Sequence, residues 1–148
     1  MPAANIEAEF PRLRTDGYLE TSPATDDYNC IAWAGNDITE KWDPEPTSGR
    51  YWPNHVPRTL DLENFVLLYE FEGGYEPCDN GDLENGFEKI AIFVSLSREV
   101  THAARQLPSG FWTSKLGDCE DIEHRTLSSL EGLSYGRIAQ FLKRPIQS

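Results

Sequence analysis

Basic side chains, histidines and cysteines are scarce in this sequence, and long apolar runs are absent. Only 13 lysines and arginines stand against 25 acidic residues in 148 positions, so the formal net charge at pH 7 is −12. A surface of that sign repels nucleic acids and anionic membranes, because both bind proteins largely through basic groups. No apolar stretch approaches the roughly 20 residues of a membrane-spanning helix. Neither nucleic acid nor membrane is therefore expected as a partner.

The first residues and the cysteines indicate the compartment. The start MPAANIEAEF has neither a basic segment nor an apolar core of the kind that a secretory signal requires. We therefore expect a cytoplasmic protein, with export by a non-classical route left open. The three cysteines, Cys30, Cys78 and Cys119, are odd in number and include no CxxC pair, so a disulfide framework is not expected.

Length and apolar content predict a single domain over residues 1–148. Apolar residues make up 39% and aromatic residues 11% of the chain, which supplies enough large side chains for a core without disulfides. Residues 1–20 lack periodicity and contain two prolines. They are expected to form an irregular lead-in.

The first half of the chain predicts two helices. Residues 26–29 offer side-chain oxygens that suit a helix N-terminus, and the apolar residues 31–34 follow them. Cys30 would then lie at or just inside the start of a helix. Apolar residues at helical spacing predict a second helix over 62–69, which Gly73 and Gly74 end.

The second half has the patterns of an antiparallel sheet. The predicted elements are strands over 88–94, 100–107, 111–116 and 135–142, a turn at 108–110 and a short helix over 126–130. Helices followed by such strands predict an α+β fold, with N-terminal helices packed on an antiparallel sheet of about four to five strands.

Cys30 and His102 are the candidate nucleophile and base. A helix N-terminus and a neighbouring imidazole are two common ways of lowering the pKa of a thiol. His102 lies in VTHAARQL, where Ala104 and Gln106 share its face of the predicted strand. The small Ala104 would allow a helix to lie close over that face.

The order of these features resembles the papain-like cysteine hydrolases, especially the NlpC-type endopeptidases and CHAP amidases. In those proteins a cysteine heads a core helix, a histidine begins a strand, and a later His, Asn or Gln orients the imidazole. NCIAWA supplies Cys30, HAARQLPSGFWTS supplies His102, and the third position falls on Ser114. The resemblance implies a papain-like fold and a hydrolase or acyltransferase that attacks an amide bond of a peptide or protein. It implies no cofactor and no metal.

Ser114 departs from the residues expected at the third position. A hydroxyl orients an imidazole more weakly than a carboxamide or carboxylate does. A three-residue turn at 108–110 would put Ser114 on the face of His102, whereas a two-residue turn would put it on the opposite face. In the second case Glu123 and His124 become the alternative orienters.

Residues near the cysteine are candidates for an oxyanion hole or a cleft. Backbone N–H groups at the helix start, together with Tyr28 or Asn29, would stabilise an oxyanion. Residues 40–57 carry four prolines among several aromatic residues, which indicates an ordered aromatic loop with Trp52 as a cleft residue. A packed loop without a binding role is the alternative.

Other interpretations remain open at this level. Cys30 and His102 are also compatible with core packing. By residue type, zinc would suit a set of four side chains, although they contain no close-spaced pair: Cys30, His102, Cys119 and His124. The alternative function is that of a non-catalytic protein which binds a partner, and the distance between Cys30 and His102 discriminates between the two.

The chain also resembles a bacterial protein family that shares five sequence blocks. These blocks are YNCIAWA, GFEKIAI, THAARQL, WTSKLG and DIEH, and together they span much of residues 28–124. This likeness implies no activity.

Overall fold

The computed structural model describes residues 2–45, 49–116 and 120–146, without the side chains of residues 2–5. Seven strands are found in these ranges: β1 (Tyr18–Ser22), β2 (Glu76–Cys78), β3 (Phe87–Val94), β4 (Val100–Gln106), β5 (Trp112–Lys115), β6 (Asp121–His124) and β7 (Arg137–Pro145). They form one sheet in the order β1-β6-β5-β4-β3-β7-β2, and every neighbouring pair is antiparallel.

The helices are short and lie on both faces of the sheet. They are α1 (Pro2–Glu9), α2 (Arg12–Asp16), α3 (Cys30–Ala34), α4 (Leu62–Gly73) and a 3-10 turn at Ser128–Leu130. Gly74 ends α4 in the left-handed conformation, with φ of 71°, where glycine is favoured. Within the described ranges, no helix has the length and apolar content needed to cross a bilayer.

The predicted α+β, papain-like fold with four to five strands is wrong, because the described chain is β-rich with seven strands. The missing strands are β1, β2 and β6, which have three to five residues each. Strands β1 and β2 are the sheet edges, and β6 buries polar residues, so none shows the apolar alternation typical of a half-buried strand. The residues expected as an irregular lead-in form α1, α2 and much of β1.

Each face of the sheet carries its own core, because consecutive residues of a strand point to opposite sides. On the face that we call the α3 face, Ile92 and Ala103 pack with α3, α4 and the aromatic loop. On the opposite face, the α2 face, Phe93 and Ala104 pack with side chains from α1, α2 and the 3-10 turn. The sheet therefore separates the residues of the two cores.

Candidate functional site

Asn29 fixes the start of the helix that carries Cys30. Its side-chain oxygen accepts hydrogen bonds from the N–H groups of Ala32 and Trp42, both at 3.1 Å. Its side-chain nitrogen donates to the Trp42 carbonyl at 2.8 Å. This predicted oxyanion residue therefore acts as a helix cap that ties α3 to the aromatic loop.

Cys30 is half-buried as a residue and borders a pocket of about 150 Å³. Burial raises the pKa of the thiol to about 11, and the opposing effects of the Ala103 N–H and the Lys115 charge are smaller. Because the thiolate is the nucleophilic form, this pKa leaves Cys30 protonated and weakly reactive near pH 7.

His102 lies on the α2 face, away from Cys30. It pairs with Phe93 across β3 and β4, and its ring stacks on Tyr135 with 4.1 Å between ring centroids. Cys30 packs instead with the core of the α3 face, which includes Ala103. Since adjacent strand residues point to opposite faces, the backbone of the sheet lies between the two side chains. The structure does not bring Cys30 and His102 together.

The turn after β4 decides the position of Ser114. The N–H of Leu107 donates to the carbonyl of Phe111 at 2.7 Å, which closes a three-residue turn at 108–110. Ser114 consequently lies on the face of His102. Glu123 pairs with Thr113 and lies toward the opposite face.

A buried chain of hydrogen bonds joins two of the three histidines. His124 Nδ1 donates to the carbonyl of Thr126 at 2.9 Å, because a carbonyl can only accept. In a neutral ring, His124 Nε2 then accepts from the Ser114 hydroxyl at 2.8 Å, and Ser114 Oγ accepts from His102 Nε2 at 3.0 Å. His102 Nδ1 is left as a buried acceptor without a hydrogen-bond partner among the described residues.

Both of these imidazoles are neutral at pH 7. Burial lowers the pKa of His102 well below its ordinary value, and the neighbouring His124 lowers it further. Burial also lowers the pKa of His124 to about 4. The side chains of His102, Ser114 and His124 are at most 1% exposed. They form a buried internal network, and His124 borders a pocket of about 240 Å³.

Tyr28 and Trp52, the other predicted cleft residues, are also buried. The Tyr28 hydroxyl donates to the Asp121 carboxylate, and burial followed by that hydrogen bond raises the Tyr28 pKa to about 12. The Trp52 indole donates to the Val56 carbonyl at 3.1 Å and its ring packs on Phe65. Trp52 is therefore part of the core, whereas Trp42, Asp43 and Pro44 of the same loop line the small pocket beside Cys30.

The predicted zinc set is only partly covered by the structure. Cys119 lies outside the described residues, and Cys30 is on the opposite face from His102. Across residues 2–45, 49–116 and 120–146, no group of three or more His, Cys, Asp or Glu side chains is arranged to hold a metal ion.

An open apolar groove that sequence reasoning missed lies beside β7. It has a volume of about 600 Å³ and separates the loop 95–98 from the loop 132–136. Its lining, which we call the leucine groove, consists of Val94, Ser95, Leu96, Ser97, Gly132, Leu133, Ser134, Gly136 and Arg137. Leu96 and Leu133 expose 98% and 109% of their reference areas. The signal in the sequence was a leucine at the tip of each polar turn, SLSR and GLSYG.

Backbone contacts hold the second loop of this groove. Gly132 and Gly136 exchange two hydrogen bonds of 2.9 and 2.8 Å, which directs Leu133 outward. A Cβ on Gly136 would lie 2.0 Å from the Val94 carbonyl oxygen, so only glycine permits this approach. Tyr135 points inward and stacks on His102. The buried histidine network thus supports one wall of the leucine groove.

Comparison with known proteins assigns the chain to a family. A family model matches residues 19–143, from β1 into β7, and the chain therefore belongs to the family described as a domain of unknown function, DUF7689. No curated protein and no solved structure matches the chain. The matched range contains the core of the α3 face and the leucine groove, but it leaves out Ile6, Phe10 and Leu13 of the core on the α2 face.

Proposed function

We propose that this member of the DUF7689 family acts by binding another protein, without catalysis by Cys30 and His102. The observation that carries the proposal is the leucine groove, where Leu96 and Leu133 expose almost their entire side chains on either side of an apolar depression. Single exposed leucines are common, but two beside one apolar cavity are typical of an interaction site.

The geometry of the groove favours a protein partner. Hydrogen bonds between Gly132 and Gly136 and the close approach to Val94 hold the second loop before any partner binds. A preformed surface loses less conformational entropy on binding. An aliphatic side chain of the partner would fill the groove, and its neighbours would cover Leu96 and Leu133.

The positions of the predicted dyad argue against catalysis. Cys30 and His102 lie on opposite faces of the sheet, so the imidazole has no path to the thiol. The thiol also has its pKa raised to about 11, which is the opposite of activation.

Photocrosslinking tests the binding role. The chain would carry p-benzoylphenylalanine in place of Leu133 in its source cells, with the same residue in place of Leu83 as the matched control. Leu83 is 55% exposed and lies near Gly110, at the other end of β4. We expect a discrete protein adduct from position 133 and none from position 83. Equal labelling from both positions, or none from either, would count against the proposal.

Thiol alkylation tests the catalytic alternative. Iodoacetamide would be applied from pH 6 to 11, and Cys30 and Cys78 would be read separately by mass spectrometry. We expect the rate at Cys30 to rise only above pH 9, and to rise equally in the His102→Gln variant. Rapid Cys30 alkylation below pH 7 that depends on His102 would overturn the proposal and restore the enzyme hypothesis.

A further inference from the structure

The charge of the leucine groove differs from that of the whole chain. Acidic residues outnumber basic ones 25 to 13, yet the described residues that line the groove include Arg137 and no acidic side chain. Arg98 follows Leu96 by two positions in the facing loop, and both arginines are exposed. Neither arginine makes an ion pair with another described residue.

Two acidic residues lie in or next to the same loops. The Glu131 carboxylate already accepts a hydrogen bond from the N–H of Ile138 at 3.2 Å. Glu99 is exposed immediately before β4, where its backbone bridges to Asp61. Neither residue lines the groove. Glu9 and Glu131 border a neighbouring pocket that shares Gly132, Leu133 and Ser134 with the groove. Arg137 is therefore the one charged side chain in the described lining of the groove, and Arg98 lies in the facing loop.

Arg98 has a left-handed backbone conformation, although the hydrogen bonds that close its turn do not involve its side chain. Its φ is 66°, in the left-handed region where glycine and asparagine are favoured and other side chains are strained. The turn itself is closed by backbone hydrogen bonds between Ser95 and both Arg98 and Glu99, which any residue could make. The structure of the turn therefore does not explain why position 98 is an arginine. A role for the positive charge in binding would explain it.

We infer that the leucine groove binds an acidic, apolar segment of a partner protein. An aliphatic side chain of the segment would insert between Leu96 and Leu133, and flanking carboxylates would pair with Arg98 and Arg137. Such charge-assisted pairs fix orientation and speed association more than they add affinity. The inference rests on the proposed function and adds the chemistry of the partner.

A lipid surface fits these observations less well. An anionic bilayer is an extended surface and would face the acidic side chains of a molecule with net charge −12, whereas a short segment would meet mainly the groove and its two arginines, because charges beyond about one Debye length, roughly 8 Å, are screened. A concave depression of about 600 Å³ also fits an inserted side chain better than a flat interface.

Titration with defined peptides tests the inference on the full chain. The probe is an acetylated and amidated peptide with two leucines flanked by three glutamates on each side. Two controls replace the glutamates by lysines or the leucines by serines. Amide shifts of the ¹⁵N-labelled protein would be followed at low and at physiological salt. We expect saturable shifts confined to residues 94–98 and 132–137, and neither control peptide to produce them.

Variants identify the side chains that bind the probe. Leu133→Ser should weaken binding about tenfold through lost apolar contact, and Arg137→Glu about fivefold through lost charge pairing. Arg98→Gly should also weaken binding while it relieves backbone strain, so that loss cannot be assigned to misfolding. The matched controls are Leu83→Ser and Arg125→Glu, at the opposite end of β4, and both should bind as wild type.

The outcomes separate this inference from the proposed function. Equal binding of the lysine peptide, shifts outside the groove, or no binding while Cys30 stays unreactive would overturn the acidic-segment assignment alone. An activated Cys30 in the alkylation experiment would instead overturn the proposed function. Equal loss of binding in the Leu133→Ser and Leu83→Ser variants would also reject the groove as the site.

Discussion

At the scale of single residues, Arg98 is strained in the folded chain. Its positive φ costs about 1 kcal/mol relative to glycine, and its side chain makes no ion pair within the described residues that would offset this. Arg98→Gly is therefore expected to raise the free energy of unfolding by up to about 1 kcal/mol. The gain is reduced by the greater conformational entropy that glycine gives to the unfolded chain. Urea unfolding followed by tryptophan fluorescence measures the change. A clear loss of stability would contradict the assignment of strain.

Ser114 is the residue on which the buried histidine network depends. Its hydroxyl accepts from His102 and donates to His124, so Ser114→Ala would leave two buried ring nitrogens without partners. We expect a loss of about 2–4 kcal/mol in the free energy of unfolding, since each unsatisfied buried polar group costs about 1–3 kcal/mol. Ser109→Ala, in the exposed turn, is the control and should be near neutral. A Ser114→Ala chain as stable as wild type would show that the hydrogen bonds are not formed.

At the scale of elements, the loop 132–136 and the end of β3 form one unit. A Cβ on Gly136 would lie 2.0 Å from the Val94 carbonyl oxygen, and the φ of Gly136 is 76°. Gly136→Ala should therefore separate the loop from β3 and lower the free energy of unfolding by about 2 kcal/mol or more. Gly49→Ala is a matched control, because its φ is 74° but no atom of the described residues lies within 4 Å of the added Cβ.

The effect of Gly136→Ala on the loop 132–136 should also be measurable in solution. Hydrogen exchange of the amides in 132–136 is expected to speed up in Gly136→Ala, while exchange in β4 and β5 changes little. The peptide probe should bind this variant more weakly, because the groove loses one wall. Unchanged exchange and stability in Gly136→Ala would contradict the contact with Val94.

At the scale of the whole molecule, the buried histidines make stability depend on pH. The pKa of His124 is lowered to about 4 in the folded chain, whereas an unfolded histidine has a pKa of about 6.5. Between these values the unfolded chain binds a proton that the folded chain does not, so the free energy of unfolding falls as the pH falls from 6.5 to 4. The loss from His124 alone is about 3 kcal/mol, and His102 shifts in the same direction.

Thermal unfolding at pH 7.5, 6.5, 5.5 and 4.5 measures this dependence. The melting temperature should be nearly constant over the first interval and should then drop at each step. His55→Gln is the control, because His55 is exposed and lies outside the buried histidine network. A flat profile from pH 6.5 to 4.5 in wild type would contradict a neutral, buried histidine network.

Part of the architecture was readable from local patterns in the sequence. Cys30 opens α3, Gly74 follows α4, and β3, β4, β5 and β7 lie within a few residues of their predicted ranges. These signals are local, because capping oxygens, glycine and apolar periodicity act over one or two turns of chain. The two alternatives for the turn at 108–110 could also be stated in advance, although not decided.

The short strands and the positions of Cys30 and His102 relative to each other could not be predicted from local sequence patterns. Strand β6, DIEH, is buried although it is mostly polar, because side chains outside the strand satisfy its polar groups: Tyr28 binds Asp121, and Ser114 binds His124. Cys30 and His102 had the residue types and order of a dyad. Which face of the sheet each residue occupies depends on how α3 packs, and spacing along the chain does not specify that.

The sequence by itself determined the strong negative charge and most of the longer elements. Only the tertiary structure decided that the sheet separates Cys30 from His102 and that His102, Ser114 and His124 form a buried chain of hydrogen bonds. It also brought the two leucine turns together beside Arg137. The physical reason is that net charge is a sum over all residues and periodicity depends on neighbouring positions in the chain. A site is instead formed by residues that are distant in the sequence, and strand pairing and core packing bring them together.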